Sequence, residues 1–227
     1  MKKFPVTVVD DFYETPDLIR EYALSLPYYA TEDGRWPGAR SPQISEVNKK
    51  LFETFNNKLF SLFFDFEKTG LEWCVESSFQ QVDSFSEDKN NIKNDGWIHS
   101  DGDAIFSGVV YLNPNPKPDW GTSVYKLKPN EVDDCTQKTK FLHYSESEDF
   151  NEEEYIEEKT RNNNKFVESI RVENVYNRLI IFEGGVYHGV PSFYSDDDEA
   201  RLTQVFFVKK LTSSNSNYPI IRSRLSV

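Results

Sequence analysis

Cysteine, histidine and long apolar runs are all scarce in this chain of 227 residues. The two cysteines, Cys74 and Cys135, are too few for a disulfide framework or a four-thiolate zinc site, so a reducing, cytoplasmic setting is expected. No apolar run reaches the ~18 residues that a transmembrane helix needs. The first residues turn acidic before any apolar stretch long enough for a signal peptide, so we expect neither a membrane span nor a leader.

Positive charge is also in short supply. The chain has 26 Lys and Arg against 38 Asp and Glu, for a net charge of −12. Phosphate groups are bound through Lys and Arg, so this balance argues against nucleic-acid binding, including nucleic-acid demethylation, and against anionic membranes. Aromatic residues nevertheless make up 15% of the chain, which argues against wholesale disorder.

Hydrophobic spacing divides the chain near Gly70. Before it, the pattern predicts a strand at 6–9, a helix that begins after Thr15 and ends before Pro27, a loop over 28–42 and a helix over 45–63. After it, the period becomes 2 and predicts strands over 71–76, 78–82, 105–112, 122–126, 179–182 and 202–208. Many short strands after two helices predict a β-sandwich or small barrel with helices on one side.

The segment 126–172 is strongly charged. Eight acidic residues lie between Ser145 and Glu158, and we interpret the segment as an insertion, helical around 152–159, that projects from the sheet. It is either a solvated face, a flap over the site or a docking surface for a basic partner. The segment and the run 196–199 carry a net charge of −4 each, and both are expected near the mouth of the site, where they would attract a basic peptide.

Two of the three histidines stand in patterns that suit a metal site. His99 and Asp101 are two residues apart on an extended segment, so their side chains point to the same side. His188 follows another strand 89 residues later. Two histidines and one carboxylate on one face, with open positions opposite, form the facial triad of non-haem Fe(II) oxygenases. Asp103 is a rival carboxylate, four positions from His99.

Arg201 and Thr203 fall on one face of an otherwise apolar strand. A guanidinium fork beside a hydroxyl suits a buried carboxylate ligand, which the fork holds through two hydrogen bonds. The alternative is a structural ion pair between Arg201 and the acidic run 196–199 just before it.

Taken together, these elements resemble the 2-oxoglutarate and Fe(II)-dependent oxygenases, in particular their prolyl-hydroxylase-like branch. The resemblance extends from about Ser78 to Val208, and the first 70 residues carry no motif of that family. The matching elements occur in the family's order: His99-Ser100-Asp101, Val110-Tyr111-Leu112-Asn113, Gly121-Thr122-Ser123-Val124-Tyr125, the strand Tyr176–Phe182, His188 and Arg201-Leu202-Thr203.

The resemblance implies a mainly β fold with supporting helices, namely a double-stranded β-helix, which is a cupin-like jelly roll. It implies a single oxygenase domain over 1–227, with helical support at 1–70, the jelly-roll core at 71–208 and the acidic insertion at 126–172 within that core. The Trp120-Gly121 pair and the insertion depart from the family pattern on the substrate side, so the substrate cannot be inherited from prolyl hydroxylases.

The resemblance also implies an oxidoreductase that uses Fe(II), 2-oxoglutarate and O2 and forms succinate and CO2. It would hydroxylate a protein or peptide side chain or a small metabolite. The iron ligands, which are also the catalytic residues, would be His99, Asp101 and His188, and the far carboxylate of 2-oxoglutarate would be bound by Arg201, Thr203 and Tyr111.

Several interpretations stay open at this point. A jelly-roll module that binds a metal or ligand without catalysis is the alternative function. Trp97 and Phe106 are either core aromatics or shields around the metal. His143, in the insertion, is either structural or in contact with substrate. The substrate and the oligomeric state are left open.

Overall fold

The strands form two antiparallel sheets in the computed structural model, which describes residues 6–65, 70–134, 136–197 and 199–213. Cys135 and one residue of the acidic run 196–199 therefore lie outside the described residues. The strands are β1 (Thr7–Val9), β2 (Tyr29–Ala30), β3 (Ala39–Arg40), β4 (Leu71–Val82), β5 (Phe106–Tyr111), β6 (Thr122–Leu127), β7 (Phe166–Val172), β8 (Leu179–Glu183), β9 (Tyr187–Gly189) and β10 (Arg201–Ser213). The helices are α1 (Pro16–Ser25), α2 (Ile44–Val47), α3 (Lys49–Ser61), α4 (Lys138–Tyr144) and α5 (Glu152–Asn163), with a 3-10 turn at Ile92–Asn94.

The larger sheet has seven strands in the order β1-β8-β5-β10-β4-β3-β2, and the smaller sheet has three in the order β7-β6-β9. Every neighbouring pair is antiparallel. The fold is therefore mainly β with supporting helices, as the sequence predicts.

β10 lies in the middle of the larger sheet, and its two faces have different roles. Leu202, Phe206 and Val208 pack into the main apolar core, where the Phe206 ring meets Phe55 of α3 edge-on at a centroid distance of 5.2 Å. Four residues on the other face of the same strand line a cavity instead: Arg201, Val205, Phe207 and Lys209. The period of 2 thus separates the core from the site along one strand.

The N-terminal helices cover the core face of the larger sheet. α1 begins at Pro16, directly after Thr15, as predicted. The predicted helix over 45–63 is broken into α2 and α3 at Asn48, whose non-helical backbone lets its side chain cap α3 by accepting a hydrogen bond from the Leu51 N–H at 3.0 Å. Within the described ranges, no helix has the length and apolarity to span a membrane.

Sequence spacing missed several short or polar strands. The predicted loop 28–42 contains β2 and β3, the strands predicted at 71–76 and 78–82 are one strand, and β7 and β9 were not predicted. β7 has the pattern Phe166-Val-Glu-Ser-Ile-Arg-Val172, with five exposed residues, so its pairing with β6 is set by tertiary structure and not by an apolar face.

The acidic segment forms a long excursion between the adjacent strands β6 and β7. It contains the expected helix, α5, and also α4. It does not simply project from the sheet, because α5 buries Tyr155, Lys159 and Asn162 against the protein. The division of the chain into helical support, core and insertion stays a prediction.

Candidate active site

His99 and His188 face each other across an isolated antiparallel bridge between the segment after the 3-10 turn and β9. Each backbone N–H donates to the other residue's carbonyl, at 3.0 and 2.8 Å. Residues paired in this way project side chains to the same face, and the two imidazole centroids lie 4.5 Å apart. The structure therefore brings together two residues that are 89 positions apart in the sequence.

Backbone carbonyls orient both imidazoles. The Nδ1 of His99 is 2.9 Å from the carbonyl of Trp97, and the Nδ1 of His188 is 2.9 Å from that of Val186. Because a carbonyl can only accept, Nδ1 carries the proton in the neutral ring and the lone pair is on Nε2. A metal-ligating histidine ordinarily makes such a hydrogen bond through the ring nitrogen that does not bind the metal.

Asp101 completes the cluster. Its Oδ1 lies 3.7 Å from the Nε2 of His99, and its Oδ2 lies 3.5 Å from the Nε2 of His188. The Ser107 hydroxyl donates to Oδ2 at 2.6 Å. All three donor atoms lie within 4.8 Å of one another, so small side-chain rotations bring them to one cation. The cluster fits a metal of the facial-triad type, with two imidazoles, one carboxylate and an open side.

The rival carboxylate, Asp103, lies elsewhere. Its side chain is exposed and forms an ion pair with Lys209 at 2.5 Å. Asp101 is placed by its own N–H, which donates to the Gly184 carbonyl at 2.8 Å. A Cβ at Gly184 would come within 2.0 Å of the Ala104 carbonyl, so glycine is needed for this close approach.

The electrostatics of the cluster favour metal binding. Desolvation, reinforced by His188 and Lys140, lowers the pKa of His99 well below its ordinary value, so its ring is neutral at pH 7. Burial on its own would raise the pKa of Asp101, but the two imidazoles, the Ser107 hydrogen bond and Arg40 outweigh it, and the pKa lies below its ordinary value. A neutral imidazole and an ionised carboxylate are the forms that bind a metal.

The cluster opens into a cavity of about 440 Å³. That volume is within the range of about 300–1,000 Å³ that is typical of small-molecule sites. The walls come from both sheets, from the 34–40 segment and from α4. Trp97 lines this cavity, whereas Phe106 packs in the apolar core against Phe60, Phe63 and Phe206, which supports the interpretation of Phe106 as a core aromatic.

Arg201 is buried in the wall of the same cavity. Its Nε donates to the Trp120 carbonyl at 2.7 Å, and its guanidinium lies 5.6 Å from the ring centroid of Tyr111. In the part of the chain that the structure describes, no carboxylate lies within 4.0 Å of it, which argues against the predicted alternative of an ion pair with the acidic run 196–199. Burial lowers the pKa of Arg201 to about 10, which leaves it charged at pH 7.

Two hydroxyl-bearing side chains, Tyr111 and Thr203, share the sheet face of Arg201. Tyr111 and Thr203 are cross-strand partners on β5 and β10, and both are fully buried. The Tyr111 hydroxyl donates to Thr122 Oγ1 at 2.7 Å. The Oγ1 of Thr203 is buried and has no hydrogen-bond partner in the described structure. A buried cation without a carboxylate, beside an unpaired hydroxyl, fits a bound anion such as the carboxylate of 2-oxoglutarate.

The α5 helix supports the segment that leads to His99, a role that the sequence did not suggest. The side-chain amide of Asn162 donates to the Ile98 carbonyl at 2.9 Å, and that of Asn163 donates to the Gly96 carbonyl at 3.0 Å. The Lys159 ammonium, fully buried, donates to the Asp95 carbonyl. These polar residues gave no signal because their spacing matches an ordinary solvated helix.

His143 does not belong to the metal cluster. It lies on α4 among Phe85, Phe150 and Tyr155, with ring centroids between 4.4 and 5.2 Å away. Aromatic packing of this kind supports the structural interpretation of His143.

The acidic residues do not form the cavity rim. Among the described residues of 126–172, the cavity is lined by Gln137, Lys140, Phe141 and Tyr144 of the α4 region, and by none of the acidic side chains. Asp196 and Asp197 form ion pairs with Lys117, each at 2.6 Å. The segment 126–172 therefore borders the cavity through the α4 region, but the expectation that acidic charge lies at the mouth of the site is wrong for the described residues, because neither its acidic side chains nor those of Asp196, Asp197 and Glu199 line the cavity.

With the geometry established, comparison with known proteins identifies the family. The chain belongs to the family described as "Family of unknown function (DUF6445)", whose model matches residues 1–208. No match is found among curated proteins.

Solved structures show where the fold recurs. HygX from Streptomyces hygroscopicus with nickel and 2-oxoglutarate bound has a TM-score of 0.53 at 11% identity, with 91% of this chain and 83% of that chain covered. HygX with iron bound has a TM-score of 0.50 at 11% identity, with 91% and 82% covered. A prolyl-4-hydroxylase from Pseudomonas putida has a TM-score of 0.43 at 15% identity, with 91% and 93% covered. The chain shares its overall fold with HygX.

Proposed function

We propose that this protein is an Fe(II)- and 2-oxoglutarate-dependent dioxygenase that hydroxylates its substrate. The observation that carries the proposal is a single cavity that contains both a three-donor metal cluster and a buried arginine without a carboxylate partner among the described residues. A module that only binds a metal does not need the buried arginine. The two antiparallel sheets, in this proposal, form the double-stranded β-helix of that enzyme class.

The chain's residues divide into two groups in this proposal. His99, Asp101 and His188 would hold Fe(II) through Nε2 and carboxylate oxygens. Arg201 would bind the far carboxylate of 2-oxoglutarate as a bidentate fork, with Thr203 and Tyr111 adding hydroxyl groups. Fe(II) with 2-oxoglutarate and O2 would supply the oxidising chemistry, with succinate and CO2 as products.

Positioning and the exclusion of water are the tasks left to the protein. The carbonyls of Trp97 and Val186 hold the imidazole tautomers, and the Ser107 hydroxyl holds one oxygen of Asp101. About a third of the His99 side chain is exposed, at 34%, so the cluster is reached from the cavity on that side. Substrate entering there would displace water from beside the metal.

The likeness to HygX supports the proposal, since structures of that protein hold nickel with 2-oxoglutarate, or iron. Assignment to the prolyl-hydroxylase-like branch depends on the sequence motifs, with Tyr111 in the Tyr-Leu-Asn strand as its main residue. The cavity volume favours a small molecule over a folded protein as substrate.

A matched pair of histidine variants tests the proposal. We expect the wild-type protein to form succinate from 2-oxoglutarate when Fe(II) and O2 are present. His99→Ala should lose this turnover and bind metal weakly, whereas His143→Ala, outside the metal cluster, should retain both. Equal loss in the two variants would show that the ligand assignment is wrong.

Thermal melting, combined with a succinate assay, distinguishes an enzyme from a module that only binds its ligands. Metal plus 2-oxoglutarate should stabilise the wild type more than metal alone, and Arg201→Gln should abolish the extra stabilisation. Stabilisation by 2-oxoglutarate without any succinate formation, across a broad panel of substrates, would favour the non-catalytic module.

A further inference from the structure

The charge of the cavity wall is opposite in sign to that of the whole protein. Among the described residues, five basic and three acidic side chains line it: Arg35, Arg40, Lys140, Arg201 and Lys209, and Glu76, Asp101 and Asp103. One of the acidic groups, Asp101, belongs to the metal cluster. The cavity is therefore a cationic pocket in a protein of net charge −12.

Two of these five cations, Arg35 and Lys209, have carboxylate partners. Arg35 forms an ion pair with Asp33 at 2.7 Å. Lys209 forms ion pairs with Asp103 at 2.5 Å and with Glu76 at 3.8 Å. These pairs lie on exposed or half-exposed side chains, and they leave little net charge at this end of the cavity.

Arg40 is different. Its Nε is buried and has no hydrogen-bond partner, and in the described ranges its one hydrogen bond joins Nη2 to the Gln80 side-chain oxygen at 3.5 Å, the outer limit for such a bond. No carboxylate in those ranges lies within 4.0 Å of its guanidinium. Arg40 as a whole is half-buried, and a guanidinium with a buried, unpartnered Nε favours the approach of an anion.

The backbone explains how Arg40 reaches the cavity. β3 pairs with β4 so that Arg40 lies opposite Gln80, which lies opposite Thr203 of β10. The three side chains therefore share one face of the sheet. Gln80 is itself held by the Pro37 carbonyl, which accepts from its Nε2 at 2.7 Å.

Two aromatic rings hold the guanidinium in place. Its central carbon lies 4.4 Å from the ring centroid of Trp36 and 5.4 Å from that of Phe207. Such stacking fixes the plane of the fork while leaving its edge free for an oxyanion. Phe207 is the cross-strand partner of Ser107, whose hydroxyl binds Asp101. The ring on which Arg40 stacks is therefore next to Ser107, the residue that holds the Asp101 carboxylate.

The two arginines are anchored at different positions of β10. The Arg40 backbone is level with Thr203, but its guanidinium contacts the Phe207 ring, whereas Arg201, proposed to bind 2-oxoglutarate, lies six positions earlier on that strand. Asp101 and Glu76 attract Arg40 electrostatically, but a metal bound by Asp101 would offset much of that attraction.

We propose that Arg40, stacked between Trp36 and Phe207, binds a carboxylate or phosphate group of the substrate, which is a small organic anion. The inference rests on the proposed function, because it assigns Arg201 to 2-oxoglutarate and Arg40 to the second molecule. It replaces the expectation of a basic peptide substrate, since the acidic residues of the insertion do not reach the cavity.

Binding of probe anions tests the inference in protein saturated with Ni(II) and 2-oxoglutarate. The probes are acetate, phenylacetate, indole-3-acetate, inorganic phosphate and phenyl phosphate, with phenylacetamide as the neutral match for phenylacetate. We expect at least one anion to raise the melting temperature of the wild type, and phenylacetamide to have no effect. Arg40→Gln should weaken that anion about tenfold or more, as expected when charge-assisted hydrogen bonds are lost.

Arg171→Gln is the matched control. It removes the same charge from an exposed residue of the smaller sheet, paired with Glu168 and Asp119, and it should bind the anion as the wild type does. Arg40→Lys keeps the charge without the fork, and we expect intermediate affinity, which separates anion binding from misfolding.

Two results would overturn the inference. One is the absence of Arg40-dependent binding for every anion in the panel. The other is a loss of 2-oxoglutarate affinity in Arg40→Gln as large as that in Arg201→Gln, because Arg40 would then belong to the cosubstrate site. If the wild type instead shows no response to Ni(II) and 2-oxoglutarate, the proposed function fails, while Arg40-dependent anion binding can still be measured without them.

Discussion

Removing the hydroxyl of Ser107 is the sharpest perturbation of the proposed metal centre that leaves all three ligands in place. This hydroxyl donates to Asp101 Oδ2 at 2.6 Å, and its side chain is buried on β5. Ser107→Ala deletes one oxygen and leaves His99 and His188 untouched. We expect weaker metal binding, because the carboxylate loses the partner that orients it.

The size of the effect follows from the type of hydrogen bond. A hydrogen bond to a charged group is worth about 1.5–3 kcal/mol, which corresponds to roughly 10- to 150-fold in affinity. Ser107 lines the cavity, so water can replace part of the lost bond. We therefore expect the metal affinity to fall about tenfold.

Ser77→Ala is the matched control. The Ser77 hydroxyl is equally buried and donates to the Val205 carbonyl at 3.0 Å, away from the cluster. Anaerobic titration with Co(II), followed by its visible absorption, measures affinity in both variants, and urea melts measure stability. The reasoning fails if Ser107→Ala and Ser77→Ala bind Co(II) equally well.

Two further predictions concern the insertion. Burial lowers the pKa of Lys159 to about 7, so the unfolded chain binds a proton that the folded one releases. The free energy of unfolding of the wild type, relative to that of Lys159→Met, should therefore rise by about 2 kcal/mol between pH 7 and 9. A difference in urea melts that does not change with pH would contradict this. Gly34 has a φ of +68°, and a Cβ there would lie 1.9 Å from the Phe141 carbonyl oxygen. Gly34→Ala should therefore accelerate hydrogen exchange in Lys138–Tyr144, whereas Gly185→Ala, with open space around it, should not. Equal exchange in the two variants would refute the contact.

The contrast between overall charge and cavity charge shows how composition can mislead. The net charge of −12 suggested a basic substrate, yet the acidic groups of α5 face solvent or, like Glu158, bind within the insertion. Charge acts over about 10 Å at ordinary salt, so the few groups that line a cavity decide what enters it. Arg40 gave no signal in the sequence, because it lies in a Gly- and Pro-rich stretch whose two short strands have no periodicity to detect.

Local spacing was enough to determine the mainly β class, the helix that begins at Pro16 and the pairing of His99 with Asp101 on one side, because each depends on residues a few positions apart. Tertiary structure alone decided three things. It placed His188 opposite His99, it put α5 against the segment before His99, and it stacked Arg40 beside the cavity. Those contacts join residues 60 or more positions apart, and strand register and polar hydrogen bonds between such residues leave no periodic pattern in a sequence.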